Sequence, residues 1–418
     1  MGLALFYVIS LIAALALIVH DTPSEFKVVW LVVIVGFPIA GSALYFLSYL
    51  NRSERCARPH GYPSSSYQSF EYFADGADYL KRLTDLISGA AKRVYLEYYI
   101  VSKGYIWGAI YRELLSALKR GVEVKIIYDG LGSATKRPKK DFKQLKSGGA
   151  QIKVFNKLFP LPVSRLNFRD HRKIGVIDDC VFLGGVNIAD EYANLISPHG
   201  HWKDGGACFT GEIADVYAEI FLEAFDCKNH ENVRSVEDIR GAMPILPLVD
   251  QPECKGSCCE DLLTCKIYSA KERVYVFTPY LCAGDKLTDA LSFAADRGTD
   301  VRIIIPAIPD KKITYAITRT YAEKLCARGV KVYTYTPGFM HFKGVVCDDE
   351  ALLGSYNFDY RSMRLNHECG VWGGGEMCER LLIDFKSCLP LCTPFKYKER
   401  KPAAKFFRTL LFLFAPLV

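Results

Sequence analysis

Charged residues are absent from two stretches near the N-terminus, Leu3 to Val19 and Val28 to Leu50. Each stretch is long enough, or nearly so, to cross the hydrocarbon core of a bilayer as a helix. The first stretch lacks the basic residues that open a secretory signal peptide, and a second apolar stretch follows it closely, which argues against a cleaved signal. We therefore predict that residues 1–50 form a membrane hairpin of two helices.

The loop between the two stretches, HDTPSEFK, has nearly balanced charge, whereas the segment after the second stretch carries Arg52, Arg55 and Arg58. Because basic residues near a membrane helix are enriched on the cytoplasmic side, we expect the rest of the chain to be cytoplasmic. Pro38 allows a kinked or shallow second helix.

The sequence also lacks a disulfide framework. Its 15 cysteines are odd in number and are scattered through apolar segments of a long chain, a pattern typical of reduced thiols in a cytosolic domain. Cys254, Cys258, Cys259 and Cys265 form a cluster without the paired CxxC-like spacing of common zinc sites, so we favour free thiols in a loop over a metal site.

The net charge of +7 over 418 residues suits a partner that is anionic, either lipid headgroups or nucleic acid. The C-terminal residues 391–418 combine the basic run KYKERKPAAK with the apolar run FFRTLLFLFAPLV. The apolar run is too short to span a bilayer and is typical of an interfacial anchor; a terminal helix packed on the domain is the alternative.

The remainder of the chain contains a repeat. In the first half, the strand-like run RVYLEYYI is followed by a helical pattern, Arg120-Gly121 and the strand VEVKIIYD. In the second half, RVYVFTPY is followed by a helical pattern, Arg297-Gly298 and the strand TDVRIIIP. Because a strand, a helix and a strand of this length are typical of a parallel βαβ unit, we predict a duplicated α/β fold.

One polar motif recurs at the same place in each repeat. The first copy is HRKIGVIDDCVFLGGVNIADEY and the second is HFKGVVCDDEALLGSYNFDYRS. A single HxK is common in half-buried strands, but two matched copies indicate a functional site. The matched positions have identical spacing: His171, Lys173, Asp178, Gly184 and Asn187 correspond to His341, Lys343, Asp348, Gly354 and Asn357.

Residues two apart in a strand point to the same face, so the histidine and lysine of each motif project together. Two such units facing each other would gather two histidines, two lysines and two asparagines in one pocket. Ammonium and amide groups donate to phosphate oxygens, which makes a metal or cofactor unnecessary. One histidine would attack phosphorus while the other protonates the leaving oxygen, and an acceptor hydroxyl would then open the phosphohistidine.

The paired HxKxxxxD motifs with a trailing G[GS]xN resemble those of the phospholipase D superfamily. The flanking segments, such as GVEVKIIYDGLGS, LNFRDHRKIGVIDD and GSYNFDYRSMRLNHE, are similar to those of bacterial cardiolipin synthases. The resemblance implies an α/β fold of two duplicated units, each a mixed sheet flanked by helices, packed face to face behind the N-terminal transmembrane hairpin. The boundaries that we expect are a hairpin at 1–50, a first catalytic half at 51–228, a linker at 229–262, a second catalytic half at 263–390 and a membrane-associating tail at 391–418.

The resemblance also implies roles for the motif residues. His171 would be the nucleophile that forms a phosphatidyl-histidine, and His341 would be the general acid and then the general base. The residues that would bind the phosphate are Lys173, Lys343, Asn187 and Asn357.

In such enzymes a carboxylate downstream of each motif orients the histidine of that motif, and the matching positions are Asp204 in HWKDGG and Glu368 in LNHECGV. A carboxylate in this role fixes the imidazole tautomer and stabilises its charged form. Asp178 and Asp348 complete the catalytic motifs, but they lie among apolar residues, so we expect them to brace the local structure rather than to react.

The function that the resemblance implies is that of a cardiolipin synthase in the bacterial plasma membrane, a multi-pass protein without a cofactor. It would transfer a phosphatidyl group from one phosphatidylglycerol to another and release glycerol. A phospholipase D that passes the same intermediate to water is the alternative, and the motifs do not separate the two. A phosphodiesterase acting on nucleic acid is less favoured because it has no need of a membrane hairpin, and a non-catalytic scaffold would not explain the paired polar residues.

The run KRPKKDFK, Lys136 to Lys143, is left outside these assignments. It would face the membrane or form the solvated start of a helix, and the sequence favours neither.

Overall fold

Two α/β units follow a small helical unit at the N-terminus. The computed structural model describes residues 2–20, 24–50, 62–157, 167–226, 243–254 and 256–396. The arginines of residues 52–58 and most of the predicted membrane-associating tail lie outside these residues.

The N-terminal unit has three helices where we predicted two: α1 (Gly2–Val19), α2 (Ser24–Gly36) and α3 (Pro38–Leu50). The second apolar stretch is divided at Phe37 because Pro38 has no backbone N–H to donate and is suited to the first turn of a new helix. Ala13 and Ile34 are buried between the helices. No helix in the described part of the chain is both long enough and apolar enough to cross a membrane.

Nine further α-helices are found in the described part of the two α/β units. They are α4 (Gly76–Gly89), α5 (Tyr105–Lys119), α6 (Lys139–Ser147), α7 (Glu212–Asp226), α8 (Cys258–Ser269), α9 (Asp285–Asp296), α10 (Lys312–Cys326), α11 (Tyr360–Arg364) and α12 (Glu376–Cys388).

The strands of the described chain belong to two large sheets and one short strand pair. They are β1 (Ser65–Tyr67), β2 (Ser69–Phe73), β3 (Arg93–Tyr98), β4 (Glu123–Asp129), β5 (Gln151–Phe155), β6 (Arg169–Asp170), β7 (Lys173–Ile177), β8 (Cys180–Gly184), β9 (His201–Lys203), β10 (Gly206–Thr210), β11 (Met243–Asp250), β12 (Arg273–Phe277), β13 (Asp300–Pro306), β14 (Lys331–Tyr335), β15 (Gly338–Met340), β16 (Gly344–Cys347), β17 (Glu350–Gly354), β18 (Asn366–Gly374) and β19 (Cys392–Pro394).

The two sheets repeat the same strand order. The first sheet runs β2-β10-β8-β7-β3-β4-β5, and the second runs β11-β18-β17-β16-β12-β13-β14 with β1 and β19 added at its edges. In both sheets the last three strands of this order are parallel and the others are antiparallel. The predicted duplicated α/β fold with mixed sheets is confirmed.

The repeat extends to the ends of helices. α5 is followed by Gly121 and α9 by Gly298, with φ angles of 85° and 95°. Glycine adopts this left-handed conformation without a steric cost, so each helix ends there and the chain turns directly into the next parallel strand. The arginine before each glycine donates to a backbone carbonyl at the end of an earlier helix, Arg120 to Ile87 of α4 and Arg297 to Ala270 just after α8.

The two units share one apolar core. Residues of both sheets and of α7 and α12 form a single buried cluster, in which Tyr95 stacks on Phe221 in the first unit and Tyr275 stacks on Phe385 in the second. Strand β8 of the first sheet contacts β17 and β18 of the second. The units are therefore joined by packing as well as by the chain.

The predicted linker at 229–262 is different in the structure. Residues 243–250 form β11, which pairs with β18 in the second sheet, and α8 begins at Cys258. Strand β11 joins the second sheet because several of its residues, such as Leu248 and Val249, are apolar and become buried there. Cys258, Cys259 and Cys265 lie on α8 rather than in a loop.

The aspartate of each motif lies in the tight turn that follows the motif strand. Asp178 and Asp348 have φ angles of 51° and 53°, a conformation that aspartate tolerates better than most residues. Each carboxylate accepts three backbone N–H groups and joins this turn to the start of a neighbouring strand. The donors are Ala91, Lys92 and Arg93 for Asp178, and Lys271, Glu272 and Arg273 for Asp348.

We expect Asp178→Ala to lower the free energy of unfolding by about 2–3 kcal/mol, because three backbone N–H groups lose their acceptor. Asp178→Asn should cost less, since its amide oxygen still accepts and asparagine tolerates a positive φ. The measurement is denaturant unfolding of the solubilised full chain. Asp179→Ala, at the exposed neighbouring position, is the control, and an equal loss in this control would contradict the bracing role.

Candidate active site

Each motif histidine follows a short strand that pairs with the opposite unit. Strand β6, just before His171, lies parallel to β18 of the second unit, and the His171 N–H donates to the His367 carbonyl at 2.9 Å. Strand β15, just before His341, lies parallel to β9 of the first unit, and the His341 N–H donates to the Lys203 carbonyl at 2.8 Å. The backbone of each half therefore positions the histidine of the other.

This exchange determines which carboxylate meets which histidine. Nδ1 of His171 lies 2.9 Å and 3.0 Å from the two carboxylate oxygens of Glu368, and Nδ1 of His341 lies 2.5 Å from Oδ2 of Asp204. We expected each carboxylate to serve the histidine of its own motif, and the structure shows the opposite pairing. The reason is the strand exchange, since each carboxylate directly follows the residue that accepts the bond from the opposite histidine.

Glu368 is fully buried but has several donors. It accepts from the hydroxyls of Ser355 and Ser362, the latter at 2.7 Å, and from the Asn366 amide at 3.0 Å. Burial acts to raise the pKa of Glu368, but His171 and the donors outweigh burial and leave this pKa below its ordinary value. Glu368 is therefore ionised at neutral pH.

Asp204 is also fully buried but has a different electrostatic environment. Besides His341, it accepts the Gly205 N–H at 2.9 Å. Burial raises the pKa of Asp204 to about 7, and the opposing effects of Lys343 and the Gly205 N–H do not cancel that rise. The Asp204–His341 pair therefore shares a proton near neutral pH, whereas Glu368 remains a carboxylate.

Burial lowers the pKa of both histidines. It lowers the pKa of His171 to about 4, with Glu368 opposing the shift and Lys173 adding to it. It lowers the pKa of His341 well below its ordinary value, and Lys343 and Lys173 contribute further. Both imidazoles are therefore uncharged at neutral pH before an anion enters the site.

The motif lysines are buried beside the histidines. Their ammonium groups donate to the carbonyls of His171 and His341, and Nζ of Lys343 lies 2.7 Å from Nδ1 of His341. Burial lowers the pKa of Lys173 to about 8 and that of Lys343 to about 7. An anionic group entering the site would favour the charged form of both lysines.

The two motif asparagines have different partners. Asn187 accepts the Ile100 N–H at 3.0 Å and donates to the Tyr192 hydroxyl at 2.7 Å. The side-chain oxygen of Asn357 is buried and has no hydrogen-bond partner among the described residues.

Both histidines and both asparagines line one cavity of about 320 Å³, and the motif lysines and the two carboxylates lie behind this lining. Several residues that line the cavity were not predicted from the sequence. Tyr192 and Trp202 flank the His341 ring at 5.2 Å between ring centroids, and Arg361 and Lys311 also line the cavity. Trp202 lies only two positions before Asp204 in the sequence. The repeat does not indicate its role, because the equivalent residue of the second half is Asn366.

Other predicted residues lie outside this cavity. Asp178 and Asp348 are in the turns described above and do not line it. Within the described residues, no group of three or more cysteine, histidine or acidic side chains has an arrangement that could hold a metal ion. The described cysteines of the Cys254 cluster are not among the residues that line the cavity.

Comparisons with known proteins agree with the repeat. The family described as "Cardiolipin synthase, PLD-like domain" matches residues 83–196 and 263–387, and the family described as "Phospholipase_D-nuclease N-terminal" matches residues 5–48. The chain is 33% identical over 380 residues to an uncharacterized protein of Streptococcus mutans, covering 88% of this chain and 82% of that protein. It is 33% identical over 343 residues to the major cardiolipin synthase ClsA of Bacillus subtilis, covering 79% of this chain and 71% of that protein.

Among solved structures, phosphatidylserine synthase of Haemophilus influenzae has a TM-score of 0.65 and 17% sequence identity. The match covers 85% of this chain and 95% of that one. The two proteins share a fold.

The glycine pair after the first motif controls the position of Asp204. A β-carbon on Gly185 would lie 2.2 Å from Oδ1 of Asp204. The equivalent residue of the second half is Ser355, whose hydroxyl donates to Glu368. The first half therefore requires glycine where the second half accepts serine.

We expect Gly185→Ala to lower the free energy of unfolding by about 2–3 kcal/mol, because the added methyl group displaces a buried carboxylate from His341. Gly108→Ala is the matched control. It lies within α5 with no neighbouring atom inside 4 Å, so the same change there should be neutral or stabilising by up to about 1 kcal/mol. Chemical denaturation of both variants measures the difference, and equal stabilities would refute the close approach of Gly185 to Asp204.

Proposed function

The chain belongs to the family of cardiolipin synthases with phospholipase D-like domains, and from this premise we propose that it joins two phosphatidylglycerol molecules through a phosphatidyl-histidine intermediate. One phosphatidylglycerol donates its phosphatidyl group, glycerol leaves, and the second phosphatidylglycerol accepts the group through a hydroxyl of its glycerol headgroup. The observation that supports this reaction is the single cavity in which two histidines, each bonded at Nδ1 to a carboxylate, lie together.

His171 is the proposed nucleophile. Its Nδ1 faces the ionised Glu368, so Nε2 carries the lone pair, and the imidazole is uncharged before substrate binds. Nε2 attacks phosphorus, and the bond from phosphorus to the glycerol oxygen breaks. The positive charge that develops on the ring is stabilised by Glu368.

His341 is the proposed proton carrier. The pair that it forms with Asp204 holds a proton near neutral pH, and this proton is transferred to the glycerol oxygen as that oxygen leaves. The same histidine then takes the proton from the hydroxyl of the second phosphatidylglycerol. That oxygen bonds to phosphorus, the bond from phosphorus to Nε2 breaks, and both histidines return to their initial states.

The phosphate is held by the motif lysines and asparagines. Two ammonium groups neutralise the phosphate oxygens in place of a metal ion, and the side-chain NH2 of Asn357, which lines the cavity, is a further donor. In this proposal the reaction uses no cofactor.

We further propose that the N-terminal unit attaches the enzyme to the membrane that contains its substrate, with the catalytic units on the cytoplasmic side. The three helices bury few side chains and leave large apolar ones exposed, including Leu11, Val35 and Phe37 at 59%, 73% and 68% exposure. Exposed apolar surface of this extent is typical of contact with lipid or with another protein.

The purified full chain should convert labelled phosphatidylglycerol to cardiolipin and glycerol. His171→Ala and His341→Ala should each reduce this conversion by about a thousandfold or more, because each removes a proton-transfer or covalent step. His199→Ala, a nearby histidine outside the paired motifs, is the control. Phosphatidic acid without cardiolipin would instead establish hydrolysis as the reaction.

An activated donor separates the two histidine roles in the same experiment. A phosphatidyl ester of p-nitrophenol needs no acid because nitrophenolate leaves unprotonated. His341→Ala should then release a single equivalent of nitrophenol and retain a phosphatidyl group on His171, detectable by mass spectrometry, whereas His171→Ala should do neither. An adduct on His341 would reverse the assignment.

The pH dependence follows from the buried lysines together with the proton of the Asp204–His341 pair, because the pKa of Asp204 is also about 7. Because the pKa of Lys343 is lowered to about 7, this ammonium is charged below pH 7 in the free enzyme and loses its charge above it. We expect kcat/KM for phosphatidylglycerol to fall above this pH by up to about tenfold per pH unit. Lys343→Arg should weaken the alkaline fall because guanidinium stays charged, while Lys81→Arg, on the exposed face of α4, should leave it unchanged. An identical fall in Lys343→Arg would exclude Lys343 as its source.

A further inference from the structure

A second, larger cleft lies in the first unit, at the ends of β4 and β5 and beside α6. Its volume is about 710 Å³. Its apolar wall includes Tyr128, Phe142 and Val154, with the Tyr128 and Phe142 rings stacked at 4.9 Å. Its basic residues are Arg137, Lys139, Lys143, Lys146 and Lys157.

The cleft is separate from the catalytic cavity but adjoins it across one loop. Gly130 and Ala134 line the cleft, whereas Leu131 and Gly132, between them, line the cavity that holds the two histidines. A ligand in the cleft would therefore lie beside the reacting groups without touching them.

The positive charges of the cleft are not neutralised by the protein. None of its described lining residues is acidic, and no ion pair involving its five cationic side chains is found in the described part of the chain. The acidic residue of α6, Asp141, accepts from the Trp107 indole N–H at 2.7 Å. A cleft with five uncompensated cations concentrates anions.

Helix α6 would be more stable without its row of three lysines on the cleft side. Lys139, Lys143 and Lys146 recur at a spacing that places them on one face, and like charges four residues apart repel each other. Lys139 also opens the helix, where the partial positive charge of the helix dipole disfavours a cation. A bound anion would reverse both unfavourable effects.

The duplicated fold does not require the positive charge of the α6 lysines. At the equivalent positions of α10 the second unit has Arg319, Glu323 and Cys326. There the chain covers its own surface, because the Phe395 N–H donates to the Val332 carbonyl at 2.8 Å and the Phe395 ring lies 5.2 Å from the Arg319 guanidinium. The lysines of the first unit are therefore specific to that unit.

We propose that this cleft binds the phosphate headgroup of an anionic phospholipid, as a second lipid site next to the catalytic cavity. Flexible ammonium groups suit a phosphate, and the wall of Tyr128, Phe142 and Val154 suits the glycerol backbone and the first methylenes of the acyl chains. The choice of a lipid rather than a soluble phosphate rests on the proposed function, since the adjoining cavity would receive its substrate from a bilayer.

The test is chemical footprinting of lysines by acetylation and mass spectrometry. The full chain with His171→Ala, which does not consume the lipid under the proposed mechanism, is placed in nanodiscs of phosphatidylcholine alone or of phosphatidylcholine with phosphatidylglycerol, and a third sample contains phosphatidylcholine with inorganic phosphate. We expect phosphatidylglycerol to protect Lys139, Lys143 and Lys146 about threefold or more. Equal reactivity in all three samples, or equal protection by inorganic phosphate, would overturn the proposal.

Matched variants provide an independent test. Native mass spectrometry of the solubilised full chain should show one fewer retained phosphatidylglycerol for Lys139→Gln/Lys143→Gln/Lys146→Gln than for the unchanged chain. Lys81→Gln/Lys92→Gln/Lys119→Gln removes the same charge from exposed positions elsewhere on the first unit and should lose none. Equal retention by the two triple variants would refute the cleft as a lipid site. A protected cleft, together with no cardiolipin synthesis by the unchanged chain, would refute the proposed function alone.

Discussion

The site depends on an exchange of backbone pairing between the two halves. Each histidine follows a strand of two or three residues, β6 or β15, and this strand pairs in parallel with a strand of the opposite unit. Because a carboxylate stands next to each accepting carbonyl, the exchange that joins the units also forms the pairs His171–Glu368 and His341–Asp204. Neither half holds a complete site, so positioning of the reacting groups and docking of the units are the same physical event.

The two pairs look alike by motif but differ in electrostatics. Glu368 accepts from two serine hydroxyls and an asparagine amide, whereas Asp204 accepts one backbone N–H and lies where a serine side chain would not fit. The donors stabilise the ionised form of Glu368, and burial favours the protonated form of Asp204. A duplicated site thereby acquires two electrostatically unequal histidines, in keeping with the roles proposed for them, attack for His171 and proton transfer for His341.

The surroundings of the motifs also differ between the halves. In the first unit Arg172 pairs with Glu97 at 2.6 Å and with Asp170 at 3.0 Å, all three buried. The equivalent residues of the second unit, Phe342, Phe277 and Met340, are apolar and belong to the shared core. The repeat therefore preserves the backbone and the motif side chains, while the packing around them has diverged. This is why the aromatic neighbours of His341 have no signal in the repeat.

The sequence by itself determined the duplicated α/β fold, the two motifs and the bracing position of the two motif aspartates. These features are local, because strand periodicity, a positive φ at Asp178 and the spacing of His171 and Lys173 are set within a few residues. Only the tertiary structure decided which carboxylate serves which histidine, that β11 belongs to the second sheet, and that α6 borders a basic cleft. The longest of these relations joins residues nearly 200 positions apart, and all of them depend on which segments pack together in the folded chain and not on any pattern along it.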